Sequence, residues 1–123
     1  MQAGQAVRLQ TLLQDSGRIY IRDWGTARLL DALPTDSLQE YIAPYQEGIN
    51  RLSGTGELKT LKAFLELDCN AKETAERLHI HRNTLNYRLQ KVTDATGLNP
   101  QRFSDAVQLS LLVTAWQMRR HTT

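Results

Sequence analysis

Two short helical segments joined by a very short turn constrain the fold of this chain more than any other feature. The first, residues 71–78, follows Asn70, a residue type that favours the position just before a helix. The second, residues 82–96, ends before Gly97, and glycine is favoured just past a helix end. Two helices separated by a turn of three or four residues form a helix-turn-helix. The sequence therefore predicts a helix-turn-helix across these two segments.

The residues around the turn fit this arrangement. Ala75 is the small residue required where the second helix crosses the first, and the apolar Leu78 and Ile80 stand on either side of the turn. His79 occupies the turn position at which glycine is common. It must accept an unusual backbone conformation there, and histidine tolerates a positive φ better than most residues. We therefore expect a tight turn whose apolar flanks fill the core.

The rest of the chain carries mostly helical patterns. Residues 18–25 are the exception, since Ile19, Tyr20 and Ile21 favour an extended strand. A single strand cannot make a sheet, so this piece would have lost its partners. The predicted fold class is all-α, a helical bundle of at least six helices. Further helices are predicted over residues 6–14, over 26–33 after a cap at Asp23, over 37–42, over 44–52, over 57–68 beyond a loop at 53–56, and from a cap at Ser104 to about Arg119.

Length and composition limit the organisation of the chain. Its 123 residues suffice for one domain, or for one domain and the remnant of another. We expect residues 1–54 to be a linker with short helices left from an upstream region, and residues 55–123 to be the helix-turn-helix domain. The single cysteine, Cys69, excludes an internal disulfide and fits a reducing cytoplasm. Since no run approaches the roughly 20 apolar residues of a membrane span, we expect a soluble cytoplasmic protein.

The second helix of the pair has two contrasting faces. At about 100° per residue, Leu85, Leu89 and Val92 fall on one side, and polar residues fall on the other. From residue 77 to residue 92 every formal charge is positive, although the net charge of the chain is only +2. A solvated helix usually mixes its charges. An acid-free face of hydrogen-bonding and basic side chains suits a DNA groove, because acids would repel the phosphates.

Two kinds of DNA contact are predicted on and beside this face. In a major groove, Arg pairs with guanine and Asn with adenine, whereas Lys and Thr suit phosphates. Arg88 lies on a flank of the helix, where it is either a phosphate ligand or a structural salt-bridge partner. A polar face taken alone is more often merely solvated, and it is the helix-turn-helix pattern that favours DNA. The predicted base contacts are Arg82, Asn83, Asn86 and Tyr87, and the predicted phosphate contacts are Lys72, Thr84, Arg88 and Lys91.

Enzymatic and metal-binding functions have little support in the sequence. Cys69, His79 and His81 are too few for a zinc site, which takes four matched ligands. A Cys–His catalytic pair would lack a third group to orient it. We therefore expect Cys69 to pack as a small apolar residue, and His81 to cap a helix or touch a phosphate. The segment "SGTGELKT" lacks the pattern of a phosphate-binding loop, so we expect no catalytic site and no cofactor.

Protein–protein contact is the main alternative to DNA binding. The last helix has a wide apolar face with Trp116 near its end. That face either completes the core of the helix-turn-helix or forms a dimer seam. An oligomerisation module without direct DNA contact is therefore the second hypothesis. RNA binding is a third, but it would depend on Tyr87 alone as an exposed aromatic residue.

The central part of the chain resembles a known family of bacterial regulators. Three stretches carry the resemblance: "TLKAFL" at 60–65, "AERLHIHRNTLNYRLQK" at 75–91 and "TGLNP" at 96–100. They look very much like the C-terminal helix-turn-helix of the PucR and carbohydrate-diacid regulator family. Within that family, their residues are most similar to those of the sugar-diacid regulators. The match is strong over about 55–118. It extends weakly back to "RDWGTARLL" at 22–30, which is similar to a "DLG" segment that precedes this domain in the family.

The resemblance implies a local fold related to the Fis-type helix-turn-helix and a function in transcription. It implies that the domain binds double-stranded operator DNA and regulates a bacterial metabolic operon, as an activator or a repressor, with a homodimer as the working form of the full-length protein. Family members carry sensory regions upstream, such as a sugar-diacid sensor, and these are absent from this chain. Sensing of a diacid would belong to those regions.

Overall fold

The computed structural model of the chain describes residues 21–120, and the side chains of residues 26–119. Every regular element in this part of the chain is helical, so the predicted all-α class is confirmed. The helix predicted over 6–14 lies outside the described residues. The elements are α1 (Ile21–Asp31), α2 (Thr35–Ile42), a 3₁₀ turn (Ala43–Tyr45), α3 (Gln46–Thr55), α4 (Glu57–Glu66), α5 (Ala71–Leu78), α6 (Arg82–Thr96) and α7 (Phe103–Arg120).

The chain divides into two compact units. Residues 45–110 form one, which holds α3 to α6 and the beginning of α7. The other holds α1, α2 and the part of α7 from Leu111 onward. Within this second unit Ile42, Leu112 and Met118 are fully buried. The domain boundary predicted between residues 54 and 55 stays a prediction.

Helix α6 is the central element of the unit formed by residues 45–110. It packs against α3, α4 and α5, and α4 also contacts both α3 and α5. Phe64, Ala75, Leu85 and Leu89 form one buried cluster, against which Ile80 packs from the turn, with Ala71 also in contact. Ala75 therefore packs against α6, as its small side chain predicts. Burial of these apolar side chains is the main favourable term that fixes α6 in place.

Gly48 in α3 permits a close approach to α6. A Cβ atom at this position would overlap the backbone oxygen of Ala95 and lie 2.9 Å from its carbonyl carbon. Only a residue without a side chain leaves room for the two backbones to meet here. The sequence patterns did not indicate this position. Without knowledge of the neighbouring helix, a glycine inside a helix indicates only low helix propensity.

Several predicted element boundaries are wrong. Residues 21–25 are not extended, because α1 begins at Ile21; Asp23 then lies in the first turn of that helix and is not its cap. Strand propensity depends on cross-strand partners, and the described residues contain no strand that could pair with this segment. The helix predicted over 44–52 begins instead after the 3₁₀ turn, and α2 begins two residues earlier than predicted.

Two further boundaries shift because local hydrogen bonds decide them. The predicted loop at 53–56 is helical up to Thr55, and Gly56 alone, at φ +92°, separates α3 from α4. Ser104 is not the cap of α7, which begins one residue earlier. The chain before α7 is held by a different pair, since the Asp105 carboxylate accepts a hydrogen bond from the Asn99 N–H at 2.9 Å.

Candidate nucleic-acid interface

The turn between α5 and α6 is closed by backbone hydrogen bonds. His79 adopts the left-handed conformation at φ 57°, ψ 45°, as its place in the sequence predicts. The His79 N–H donates to the Glu76 carbonyl at 3.2 Å, and the Ile80 N–H donates to the Ala75 carbonyl at 3.0 Å. This pair of bonds is the Schellman motif, in which the residue past the helix also makes an apolar contact. Ile80 provides that contact by packing on the buried cluster.

The first helix of the pair begins as its sequence predicts. The Asn70 side chain accepts a hydrogen bond from the Glu73 N–H at 3.0 Å, which satisfies one of the free donors of the first turn. The Asn70 N–H donates to the Leu67 carbonyl. It is therefore not bonded to the Glu73 side chain, as it would be in a capping box. Thr74 is fully buried and its hydroxyl donates to the Asn70 carbonyl at 2.7 Å.

An imidazole caps the second helix of the pair. His81 precedes α6 with extended backbone, and its Nδ1 accepts a hydrogen bond from the Asn83 N–H at 3.0 Å. The His81 carbonyl accepts the first helical hydrogen bond, from Leu85, at 3.1 Å. Capping was one of the two roles considered for this residue. It is an unusual cap, because Ser, Thr, Asp and Asn are the preferred residue types.

Helix α6 separates its side chains into a buried face and an exposed face. Leu85, Leu89 and Val92 are buried, as their spacing predicts. Tyr87 points away from the core and is 61 % exposed. No acidic residue occurs among residues 82–91, and the first acid on the helix is Asp94, which accepts a hydrogen bond from the Gln90 side chain at 3.0 Å. Seven of the eight predicted contact residues are exposed: Lys72, Arg82, Asn83, Thr84, Asn86, Tyr87 and Lys91.

Arg88, the eighth predicted contact residue, lies between the two faces. It is half-buried, and its guanidinium donates to the Thr60 hydroxyl of α4 at 3.4 Å. Thr60 is 1 % exposed, so this contact reaches into the interior. Of the two roles considered for Arg88, a structural one has a partner in the structure, although that partner is a hydroxyl and not a carboxylate. Thr60 was missed by the sequence patterns, because its position in the apolar stripe of α4 is visible only once α6 is packed against it.

Lys91 and Tyr87 interact on the exposed face. The Lys91 ammonium lies 5.1 Å from the centre of the Tyr87 ring, within the range of a cation–π contact. The pair is one helical turn apart, so both side chains project from the same side of α6. The contact holds a positive charge and a phenol group together on the exposed face of α6.

The pKa of the Cys69 thiol lies above its usual value. Desolvation raises this pKa, and the Asp68 carboxylate raises it further. A reactive or metal-binding cysteine requires the thiolate, which a raised pKa disfavours. The side chain is exposed, contrary to the expectation that it packs as a small apolar residue. Among the side chains that the structure describes, residues 26–119, no three His, Cys, Asp or Glu form a group that could hold a metal ion.

Comparison with known proteins identifies the family. The family described as the PucR C-terminal helix-turn-helix domain matches residues 58–115, which span α4 to α7. No solved structure matches the chain. Among the helices that the structure describes, none combines the length and the apolar character that crossing a membrane requires.

Curated relatives point to the same family. The proline-responsive transcriptional activator PutR of Bacillus subtilis is 44 % identical over 59 residues, which are 48 % of this chain and 14 % of PutR. The transcriptional activator PmfR of Paenarthrobacter nicotinovorans is 38 % identical over 90 residues, 69 % of this chain and 19 % of PmfR. The purine catabolism regulatory protein of Bacillus subtilis is 36 % identical over 71 residues, 56 % of this chain and 13 % of that protein.

The chain thus spans less than a fifth of the length of these relatives. The resemblance to the PucR C-terminal helix-turn-helix is confirmed, and the matched family is one of transcription regulators and not of enzymes. Through residues 58–115, the chain belongs to the family of PucR C-terminal helix-turn-helix domains and carries the DNA-binding motif of that family.

Proposed function

We propose that α6 is the recognition helix of this domain and lies in the major groove of double-stranded operator DNA. The observation that carries the proposal is the division of α6 into a buried apolar face and an exposed face without acids between residues 82 and 91. A recognition helix needs both, since one side anchors it to the domain and the other meets base edges and phosphates. The proposed contacts are Arg82, Asn83, Asn86 and Tyr87 to bases, and Lys72, Thr84, Arg88 and Lys91 to phosphates.

The proposed base contacts stand near the beginning of α6. The N-terminal residues of a recognition helix are the ones that reach base edges. Arg82, Asn83 and Asn86 are all exposed within the first two turns. An Arg on guanine or an Asn on adenine makes two hydrogen bonds, and each such pair contributes about 1–3 kcal/mol of discrimination against a wrong base.

The proposed phosphate contacts surround this group. Lys72 projects from the first turn of α5 and Lys91 from the second half of α6, and both are exposed. Positive charges at these two places would flank the bases read by the start of α6. Phosphate contacts position a protein on the duplex without reading its sequence. Arg88 is the least accessible member, since its guanidinium also contacts Thr60.

The regulated genes are proposed to serve the use of a metabolite. Two relatives are named for responsiveness to proline and for purine catabolism. The sequence of the motif is most similar to that of the sugar-diacid regulators, so we propose a sugar diacid or a related metabolite as the effector. Its binding is assigned to regions outside this chain, because the match to the relatives is confined to a small part of their length. Since PutR and PmfR are named activators, activation is the proposed mode.

A homodimer is proposed as the DNA-binding form of the full-length protein. Two recognition helices that lie about 34–36 Å apart read two half-sites on one face of the duplex. The proposed operator is accordingly a palindrome. One copy of this domain would then contact one half-site and bind it more weakly than the pair binds the whole operator.

The test is DNA binding by the 123-residue chain with labelled DNA from the promoter region of its own operon. Fluorescence anisotropy is measured against this DNA and against a shuffled sequence. A triple variant, Asn83→Ala, Asn86→Ala and Tyr87→Ala, should lose at least about tenfold of the preference for the promoter sequence, since it removes base contacts of that size. The matched control is Gln39→Ala, which removes an exposed amide from α2.

The competing hypothesis, an oligomerisation module without direct DNA contact, predicts a different result. In that case the triple variant keeps the affinity of the unchanged chain for both DNAs. An equal loss of affinity for both DNAs would instead show that these three side chains bind the duplex without reading it. Circular dichroism on each variant ensures that the helical content is the same in every comparison.

A further inference from the structure

The start of α6 is held by a side-chain hydrogen bond whose properties follow from the chemistry of imidazole. His81 Nδ1 accepts the Asn83 N–H. A ring nitrogen can accept only when it carries no proton, so the neutral ring has its hydrogen on Nε2. Asn, Asp, Ser and Thr cap a helix with an oxygen on a short chain, whereas this cap is a planar ring. The ring constrains the direction from which the Asn83 amide can approach.

The cap completes a turn in which each residue is held in place. His79 and Ile80 donate their N–H groups to the end of α5, and the His81 carbonyl accepts from Leu85 at the beginning of α6. These bonds are made by backbone groups. The contact from His81 to Asn83 is made by a side chain, so it is a point at which the sequence of the turn controls the first turn of α6.

The residue whose N–H donates this bond is a proposed base contact. Asn83 is the second residue of α6, and its side chain is exposed. Residues at the end of a helix fray unless their amides are satisfied. A frayed first turn would spread Arg82, Asn83 and Thr84 over many positions, and a duplex would have to order them again at a cost in binding free energy.

We propose that His81 is a positioning residue for DNA recognition: its imidazole closes the first turn of α6 and holds Asn83 where the base edges meet it. This rests on the proposed role of α6 as the recognition helix. His81 acts through Asn83 and its neighbours, and it does not itself read a base. The role differs from that of the buried leucines, which hold the whole helix, because the cap orders only the turn that enters the groove first.

The test compares two substitutions in the 123-residue chain. His81→Ala removes the cap, and His81→Asn replaces the imidazole by the amide of a favoured cap residue. His81→Ala should weaken binding to the promoter DNA by about tenfold and binding to shuffled DNA by less, in keeping with the loss of one helix cap. His81→Asn should restore the preference to within about twofold of the unchanged chain, because the capping bond is restored.

Amide hydrogen exchange of Asn83 measures the cap without DNA. Exchange should be faster in His81→Ala than in the unchanged chain, and slow again in His81→Asn. Unchanged promoter preference in His81→Ala would overturn the proposal. Equal weakness of both variants, with Asn83 protected in His81→Asn, would overturn it too, because the imidazole would then act on DNA directly.

These outcomes are distinct from a failure of the proposed function. If the unchanged chain itself shows no preference for promoter DNA over shuffled DNA, α6 is not a sequence reader and the role of His81 in recognition falls with it. The exchange rates then still show whether the imidazole orders the first turn. Thermal unfolding of each variant, with binding measured well below the lowest midpoint, keeps a loss of fold from being mistaken for a loss of recognition.

Discussion

The two faces of α6 are built under different constraints. On the inner face, Leu85 and Val92 are fully buried and Leu89 is 3 % exposed, so each side chain must fit the space left by α3, α4 and α5. On the outer face, Asn83 and Asn86 are exposed. Packing limits the size and shape of the side chains on the inner face, and it does not limit the exposed side chains of the outer face in this way.

This difference teaches where to look for function. A change of volume in a packed interior is felt throughout the core, so the leucines of α6 are explained by the fold alone. The outer face has no such explanation, because surface substitutions usually alter stability by less than about 0.5 kcal/mol. A ten-residue stretch from 82 to 91 without an acid is therefore not required by folding. It is what the proposed polyanionic partner, double-stranded DNA, would favour.

The largest effect is expected where two adjacent residues point to opposite faces. Leu85→Ala should lower the free energy of unfolding by about 2–5 kcal/mol, because it deletes a fully buried side chain and leaves a cavity. Asn86→Ala, the matched control one position further on, should change it by less than about 0.5 kcal/mol. Urea unfolding followed by circular dichroism measures both.

The same two substitutions should rank in the opposite order in their effect on the preference for promoter DNA. In buffer without urea, at a temperature where both variants are folded, Asn86→Ala should reduce the preference for promoter DNA. Leu85→Ala should retain that preference. Equal stability of the two variants would show that α6 does not anchor the domain through its leucines. The contrast between the two faces would then be lost.

The second prediction concerns the short distance between the backbones of α3 and α6. Gly48→Ala should destabilise the fold by about 1–3 kcal/mol, since the added methyl group meets the Ala95 backbone and the two helices must move apart. Thermal unfolding gives the shift. A backbone obstacle cannot rotate away as a side chain can, so little of this cost is relieved.

Gly54 provides the control in the same helix. An added Cβ there meets nothing within 4 Å, and Gly54→Ala should stabilise the chain by about 0.4–1 kcal/mol by restricting the unfolded state. The same substitution thus has opposite signs six residues apart. If both variants were stabilised, the close crossing of α3 and α6 would be wrong.

The sequence was most informative where local chemistry and long-range packing agree. The bounds of α5 and α6 match their predicted bounds. The Asn70 side chain caps the start of α5, and the left-handed His79 and Gly97 end the two helices through backbone hydrogen bonds. The ends of α1, α3 and α7 were missed. Local hydrogen bonds that the residue patterns do not specify set these limits, as the bond between Asn99 and Asp105, six residues apart, shows for α7.

The candidate site divides in the same way. Helical spacing alone placed Asn83, Asn86 and Tyr87 opposite the leucines, and all three are exposed. Spacing could not foresee that Arg88 reaches the buried Thr60, because the partner is 28 residues away in the chain. Gly48 was missed for the same reason, since its neighbour Ala95 belongs to another helix. Contacts between helices require the packed structure.

The smallest effect separates general attraction to DNA from specific reading on the outer face. Lys91→Gln should weaken binding to promoter and shuffled DNA equally, and it should flatten the slope of log affinity against log salt by about one unit, as expected for one lost phosphate contact. The measurement is a salt titration of fluorescence anisotropy. Loss of the cation also frees the Tyr87 ring, which lies 5.1 Å from the ammonium.

Two controls separate the charge from the ring contact and from the total charge of the chain. Lys91→Arg keeps the positive charge and the ring partner, so its salt slope should equal that of the unchanged chain. Lys59→Gln removes an exposed charge from α4, outside the helix pair, and should leave the slope unchanged. If Lys59→Gln flattened the slope as much as Lys91→Gln, the slope would report net charge alone. The outer face of α6 would then be no better placed against phosphates than any other part of the surface.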